Sequence, residues 1–113
     1  MPNGARLLAT KFNSNFMKTI IIEDEPLVAK DLKKLILQLD PSTEIVAILE
    51  SLQSCISYFK SNKEPDLIFM DIQLNDGVSF DIFKHIDIRC PIIFTTAYNE
   101  YALRAFKVNS VDY

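Results

Sequence analysis

Carboxylate and hydroxyl side chains stand directly after apolar runs at three places in this 113-residue sequence. An acidic trio occupies positions 23–25, Asp71 follows a later run, and Thr95 and Thr96 close another. Carboxylates brought within a few ångströms of one another repel and raise one another's pKa unless a cation lies among them. Mg²⁺ favours such all-oxygen sites, and a carboxylate beside it can attack a phosphoryl group to give an aspartyl phosphate. These residue types therefore predict metal-assisted phosphoryl chemistry, provided that the fold brings them together.

The elements that must position these residues follow from the apolar pattern. Four short runs, at residues 19–22, 45–49, 67–70 and 92–95, are β-branched or aromatic and do not alternate with polar residues, which is typical of strands buried on both faces. A stripe of apolar residues at helical spacing follows each run, which predicts four helices. Pro26 suits the first position of the first helix. The stripes are Val28, Leu32, Leu35, Ile36 and Leu39; Leu52, Cys55, Ile56 and Phe59; Ile82, Phe83 and Ile86; and Tyr101, Ala102, Ala105 and Phe106.

Strict alternation of strands and helices predicts a parallel sheet with right-handed crossovers and helices on both faces, a three-layer α/β/α sandwich. In a flavodoxin-like strand order of 2-1-3-4-5, the first, third and fourth strands are neighbours, so their polar carboxyl ends meet. Each feature also has a simpler interpretation. The acidic trio favours a helix N-terminus, residues 71–77 contain strong turn chemistry, and threonine is common in strands. Their joint placement at three strand ends favours a functional site.

Composition limits the function classes. Hydrophobic residues make up 49% of the chain and charged residues 24%, which fits one globular domain, and a net charge of −3 argues against direct binding to nucleic acid. Cys55 and Cys90 lack metal-ligand spacing and are interpreted as buried thiols, which predicts a reducing, cytoplasmic location. No apolar run is long enough to cross a membrane. We expect residues 1–16 to be a leader and residues 17–113 to form the domain.

Three segments carry a resemblance to a known family. Residues 19–26 (TIIIEDEP), 66–72 (DLIFMDI) and 91–98 (PIIFTTAY) resemble the receiver domain of two-component response regulators, in the correct order and over about residues 17 to 113. Residues 101–106 (YALRAF) and 109–113 (NSVDY) are similar in particular to receivers attached to LytTR-type DNA-binding domains.

The resemblance implies a role for each matching residue. Asp71 is the phosphoryl acceptor, Asp24 is a direct Mg²⁺ ligand, and Glu23 acts on the metal largely through water. The remaining positions are the backbone carbonyl of Gln73, which completes the metal site, the hydroxyl of Thr96, which contacts the phosphoryl group, and Tyr113, an aromatic residue that reports the switched state.

The resemblance also implies partners. A sensor histidine kinase donates the phosphoryl group, phosphorylation changes a surface and favours a homodimer, and DNA is reached only through an effector domain absent from this chain. Neither enzymatic turnover nor membrane contact is expected. The lysine typical of the family is expected a few residues beyond Tyr113, so we expect the fifth strand and fifth helix to be incomplete or missing. The alternative is a degenerate or stand-alone receiver-like interaction module that is not phosphorylated.

Two enzyme or cofactor classes of similar architecture fit less well. Haloacid-dehalogenase-type phosphatases need a second aspartate two residues after the nucleophile, and that position is Gln73. A flavin- or nucleotide-binding module needs a glycine-rich loop to hold phosphate, whereas this chain contains only Gly4 and Gly77.

Overall fold

A computed structural model describes residues 16–95, and its main feature is a parallel sheet of four strands. The strands are β1 (Lys18–Ile22), β2 (Glu44–Leu49), β3 (Leu67–Met70) and β6 (Ile92–Phe94), in the spatial order β2-β1-β3-β6. The predicted order of the first four strands is therefore confirmed. The predicted fifth strand, the helical stripe 101–106 and almost all of the predicted leader lie outside the described residues.

The register of the sheet aligns the carboxyl ends of its strands. Ile22 pairs with both Leu49 and Met70, and Met70 pairs in turn with Phe94. Whatever follows these four residues consequently lies along one edge of the sheet, which is where ligands bind in open parallel sheets.

One face of the sheet is covered by α1 (Pro26–Leu39). Pro26 begins this helix as predicted. Its fixed φ suits the first turn, and the N–H that proline lacks would have no partner within the helix at this position. The predicted burial of its stripe is wrong in part. Ile36 of the stripe is buried against Ile21, together with Ala29, which is not in the stripe, whereas three members of the stripe are exposed, namely Val28, Leu35 and Leu39.

The geometry of α1 explains this difference. The exposed members lie on one flank of the helix, to one side of the line through Ala29 and Ile36, and the helix packs on the sheet through these two residues and the partly buried Leu32. Within residues 16–95, no second helix packs beside α1 on this face.

The opposite face is covered by α2 (Leu52–Ser61) and by a 3₁₀-helix (Ser79–Lys84). Helix α2 begins with a capping box in which the Ser51 hydroxyl accepts from the Ser54 N–H at 3.0 Å and the Ser54 hydroxyl accepts from the Ser51 N–H at 3.1 Å. All four predicted members of its stripe join the larger core. Helices on both faces confirm the three-layer sandwich.

The third predicted helix differs from expectation in type and length. It is a 3₁₀-helix of 6 residues, although Ile82 is buried as predicted. Phe80, Ile82 and Phe83 have only modest helix propensity, which is consistent with a short 3₁₀-helix in place of a longer α-helix. That hairpin pairs β4 (Gln73–Leu74) antiparallel with β5 (Gly77–Val78) and was not predicted.

The two cysteines are free and buried, as the sequence predicted. Burial raises the pKa of each thiol to about 12, so both remain protonated at neutral pH.

Candidate metal and phosphoryl-acceptor site

Three carboxylates meet at the carboxyl edge of the sheet. Glu23 and Asp24 follow β1, Asp71 follows β3, and one side-chain oxygen of each lies within 4.8 Å of the others. Among residues 16–95, no other group of three or more Asp, Glu, His or Cys side chains comes this close together. The site therefore joins positions that are 47 residues or more apart in the sequence.

Backbone hydrogen bonds that continue past the strand ends hold these residues side by side. The Glu23 N–H donates to the Leu49 carbonyl at 3.0 Å, and the Asp71 N–H donates to the Ile22 carbonyl at 2.9 Å. The same ladder reaches the fourth strand, because the Thr95 N–H donates to the Met70 carbonyl at 3.0 Å. The cluster is thus fixed by the sheet and not by flexible loops.

Glu23 lies in the least favourable environment for a negative charge. It is 5% exposed, whereas Asp24 and Asp71 are half-buried. Burial raises the pKa of the Glu23 carboxyl to about 7, and the nearby charges of Asp71 and Asp24 act in the same direction, although a hydrogen bond from the Glu25 N–H opposes them. A bound cation would relieve this repulsion.

The raised pKa of Glu23 predicts a pH-dependent stability of the metal-free chain. Between about 4.5 and about 7 the folded state holds a proton that the unfolded state releases, so the free energy of unfolding should fall as pH rises through this window and level off above it. We expect the free energy of unfolding to fall by on the order of 2 kcal/mol, a value reduced to allow for screening of the charges by water. Urea unfolding in the presence of a chelator measures it, and the Glu23→Gln variant should lack this slope. An identical slope in both proteins would assign it to other groups.

The donor set fits a hard divalent cation. All three side chains offer oxygen, and the cluster contains no histidine or cysteine that would favour zinc or a softer metal. Mg²⁺ commonly takes one or two protein carboxylates and fills its remaining positions with water and phosphate oxygens.

Helix capping does not account for the acidic trio. Glu25 is the N-cap of α1, but its side chain makes no capping hydrogen bond. The Glu23 carboxylate accepts from the Glu25 N–H at 3.1 Å, before the helix begins. The trio therefore divides into Glu25, which is exposed, and the pair Glu23 and Asp24, which face Asp71.

The structure places the other predicted site residues as follows. Gln73 is exposed and begins β4, two residues after Asp71, at the same edge of the sheet. Thr95 is exposed directly after β6. Thr96 and Tyr113 lie outside the described residues.

Asp76 makes contacts at this edge that sequence reasoning missed. Its carboxylate accepts the N–H groups of Leu52 and Gln53 at 2.8 and 3.1 Å, 24 and 23 residues away along the chain. These hydrogen bonds lower the pKa of Asp76, the bond from Leu52 having the largest effect. The sequence showed an Asn-Asp-Gly turn here, but no local signal connects that turn to a distant helix.

Comparison with known proteins identifies the family. Residues 19–113 match the family model described as the response regulator receiver domain. The chain belongs to this family. This receiver domain is 38% identical over 100 residues to the sensory transduction protein LytT of Enterococcus faecalis, and 35% identical over 100 residues to LytT of Bacillus subtilis. Each alignment covers 86% of this chain but only 40% and 41% of the respective relative, so the chain spans about two fifths of their length.

Solved structures support the same fold. The response regulatory domain of the protein mrkE from Klebsiella pneumoniae superposes with a TM-score of 0.72 at 34% identity, over 86% of this receiver domain and 80% of that chain. A LuxR-family response regulator from Aurantimonas superposes with a TM-score of 0.74 at 22% identity, over 87% of this chain and 72% of that one, which supports the fold alone. Among residues 16–95, no helix is both long and apolar enough to cross a membrane.

Proposed function

We propose that this receiver domain accepts a phosphoryl group from a sensor histidine kinase on Asp71, with the help of Mg²⁺. The observation that carries the proposal is the meeting of Asp71 with Glu23 and Asp24 within 4.8 Å at the carboxyl edge of the sheet. Receiver domains bind Mg²⁺ at an acidic site, and this cluster is the matching acidic site here.

The proposed reaction is a displacement at phosphorus. A carboxylate oxygen of Asp71 forms a bond to the phosphorus of a phosphohistidine while the phosphorus–nitrogen bond breaks. The electron pair of the broken bond stays on the imidazole nitrogen, which takes up a proton from water. Asp24, directly, and Glu23, largely through water, would hold Mg²⁺ together with Asp71 and the Gln73 carbonyl. The bound ion supplies positive charge that offsets the negative charge of the transferred group.

The sheet holds the backbone of the proposed acceptor, Asp71, in place for this step. Asp71 is half-buried and its backbone N–H is bonded to the Ile22 carbonyl, so its backbone is held beside the strand that leads to the acidic pair. Fixed positioning is most of what phosphoryl transfer asks of a protein, because little of the bond making involves the protein beyond the attacking oxygen.

The output of the domain is part of the same proposal. The hydroxyl of Thr96 would hydrogen-bond the new phosphoryl oxygens, Tyr113 would change rotamer, and the altered surface would favour a homodimer. Residues 17–113 would be the receiver domain, and residues 1–16 a leader. The matching relatives named LytT, and the similarity of residues 101–113 to receivers joined to LytTR-type domains, support control of a LytTR-type DNA-binding domain.

The test is phosphorylation of the purified chain. A small phosphodonor such as acetyl phosphate, with Mg²⁺, should add one phosphoryl group that hydroxylamine removes, because hydroxylamine cleaves acyl phosphates and leaves phosphoserine intact. A phosphorylated histidine kinase should do the same. A chain that folds and binds Mg²⁺ but takes up no phosphoryl group from either donor would contradict the proposal and favour a receiver-like interaction module.

A further inference from the structure

The hairpin after the acceptor is attached to a distant helix by a single carboxylate. Asn75 and Asp76 connect β4 and β5, and Asp76 reaches across to the first turn of α2. Its Oδ1 accepts from the Leu52 N–H at 2.8 Å and its Oδ2 accepts from the Gln53 N–H at 3.1 Å.

These two hydrogen bonds complete the capping of α2. The first N–H groups of any helix lack partners within the helix. In α2 the Ser51 hydroxyl accepts the N–H of Ser54, and the Asp76 carboxylate accepts the N–H groups of Leu52 and Gln53. A charged acceptor at this position also interacts favourably with the positive end of the helix.

Apolar packing supports the same connection. Leu74 of the hairpin is 3% exposed, and Leu52 packs against the same core. Gly77 has a φ of +146°, a conformation that favours glycine, and a Leu52 methyl carbon lies 3.5 Å from the position where a Cβ on Gly77 would stand. The turn can therefore lie against the start of α2, with the Asp76 carboxylate over the helix end.

The attachment closes a ring of contacts around the acidic cluster. Glu23 is held to Leu49 at the end of β2, α2 follows β2 after two residues, and Asp76 joins the start of α2 to the hairpin that contains Gln73. The other end of the hairpin is held where the Ser79 N–H donates to the Ile72 carbonyl at 2.7 Å. Gln73 is thus held relative to Glu23 through Asp76, as well as through the chain from Asp71.

We propose that Asp76 is a positioning residue for the metal site: by joining the hairpin to α2, it holds the Gln73 backbone where its carbonyl can complete the Mg²⁺ ligands. The inference rests on the proposed function, since it assigns Asp76 to the same site. Outer partners that orient metal ligands typically contribute about 10- to 100-fold to metal affinity.

The experiment measures Mg²⁺ affinity by calorimetric titration of the folded chain and of two variants. Asp76→Ala removes both acceptors, and we expect Mg²⁺ to bind about tenfold more weakly. Asp76→Asn removes the same negative charge but keeps an oxygen that can accept the Leu52 N–H, so it should retain most of the affinity and should also fold if the alanine variant does not. Equal weakening in both variants would mean that an oxygen accepting the Leu52 N–H does not hold the metal site in place, and would overturn the inference.

A matched control separates positioning from general stability. Asp66 also accepts a long-range backbone N–H, that of Lys18 at 2.8 Å, but at the opposite end of the sheet. Asp66→Ala, which removes this acceptor as Asp76→Ala removes its own, should lower the melting temperature without changing Mg²⁺ affinity. In Asp76→Ala, amide hydrogen exchange at Leu52 and Gln53 should become faster even without metal.

The outcomes distinguish the inference from the proposed function. Faster exchange with unchanged Mg²⁺ affinity in Asp76→Ala would overturn the positioning role while leaving phosphorylation of Asp71 intact. An equal loss of affinity in Asp66→Ala would also overturn it, because the effect would then be global. A wild-type chain that binds no Mg²⁺ and accepts no phosphoryl group would contradict the proposed function itself.

Discussion

Asp71→Asn is expected to abolish uptake of the phosphoryl group. Asparagine keeps the shape of the side chain but has no anionic oxygen to attack phosphorus, and loss of a nucleophile lowers such rates by at least about 10³-fold. Incubation with radiolabelled acetyl phosphate and Mg²⁺, followed by denaturing electrophoresis, measures the label that stays on the chain. The wild-type chain should gain one hydroxylamine-labile group and the variant none.

The fold of the Asp71→Asn variant should survive, which makes the result interpretable. The substitution removes one of three carboxylates that have side-chain oxygens within 4.8 Å of one another, so the metal-free variant should melt no lower than the wild type. Asp87→Asn is a matched control, because Asp87 is exposed and pairs with Arg89 at 2.9 Å, away from the cluster. Undiminished labelling of Asp71→Asn would place the acceptor elsewhere and leave the acidic cluster without its proposed chemistry.

The sheet and the acidic cluster were predictable because they depend on patterns that stay local. Each strand is built around a short apolar run that contains β-branched or aromatic residues, and a parallel order fixes where the residues after each run must lie. Asp71 and the pair Glu23 and Asp24 could therefore be placed together before any contact was known. The raised pKa of Glu23 could not be predicted in this way. The main cause of the rise is burial, whereas the sequence predicts only that the carboxylates repel one another.

The features that were mispredicted depend on neighbours that local periodicity does not specify. The stripe of α1 is apolar over five positions, but which of them are buried depends on what lies beside the helix, and Leu35 and Leu39 are exposed. The third helix was predicted from its apolar spacing, but that spacing does not distinguish an α-helix from the 3₁₀-helix of 6 residues that forms. The turn chemistry of residues 71–77 is consistent with the turn that contains Asp76, but the hydrogen bonds of Asp76 to α2 join segments more than 20 residues apart and have no local signal.

Asp24→Asn is expected to remove most of the stabilisation that Mg²⁺ gives to the fold. A ligand that binds only the folded state raises the free energy of unfolding by about 2.7 kcal/mol at a concentration of 100 times its Kd. Asp24 is proposed as a direct ligand, so its loss should weaken binding by at least about 100-fold, the upper end of what the loss of an outer partner costs. Thermal melts across a Mg²⁺ titration, at constant ionic strength, should show a rising melting temperature for the wild type and almost none for the variant.

Glu25→Gln is the control that makes this result specific. Glu25 is adjacent to Asp24 in the sequence and carries the same charge, but it is exposed and does not belong to the cluster. If Mg²⁺ acted only by screening the acidic surface, both variants would lose similar, small amounts of stabilisation, because screening depends on total charge and falls off over about 8–10 Å. If Mg²⁺ binds at the cluster, Glu25→Gln should titrate like the wild type while Asp24→Asn does not. Equal behaviour of the two variants would therefore contradict the metal site at Glu23, Asp24 and Asp71, whatever the outcome of the phosphorylation test.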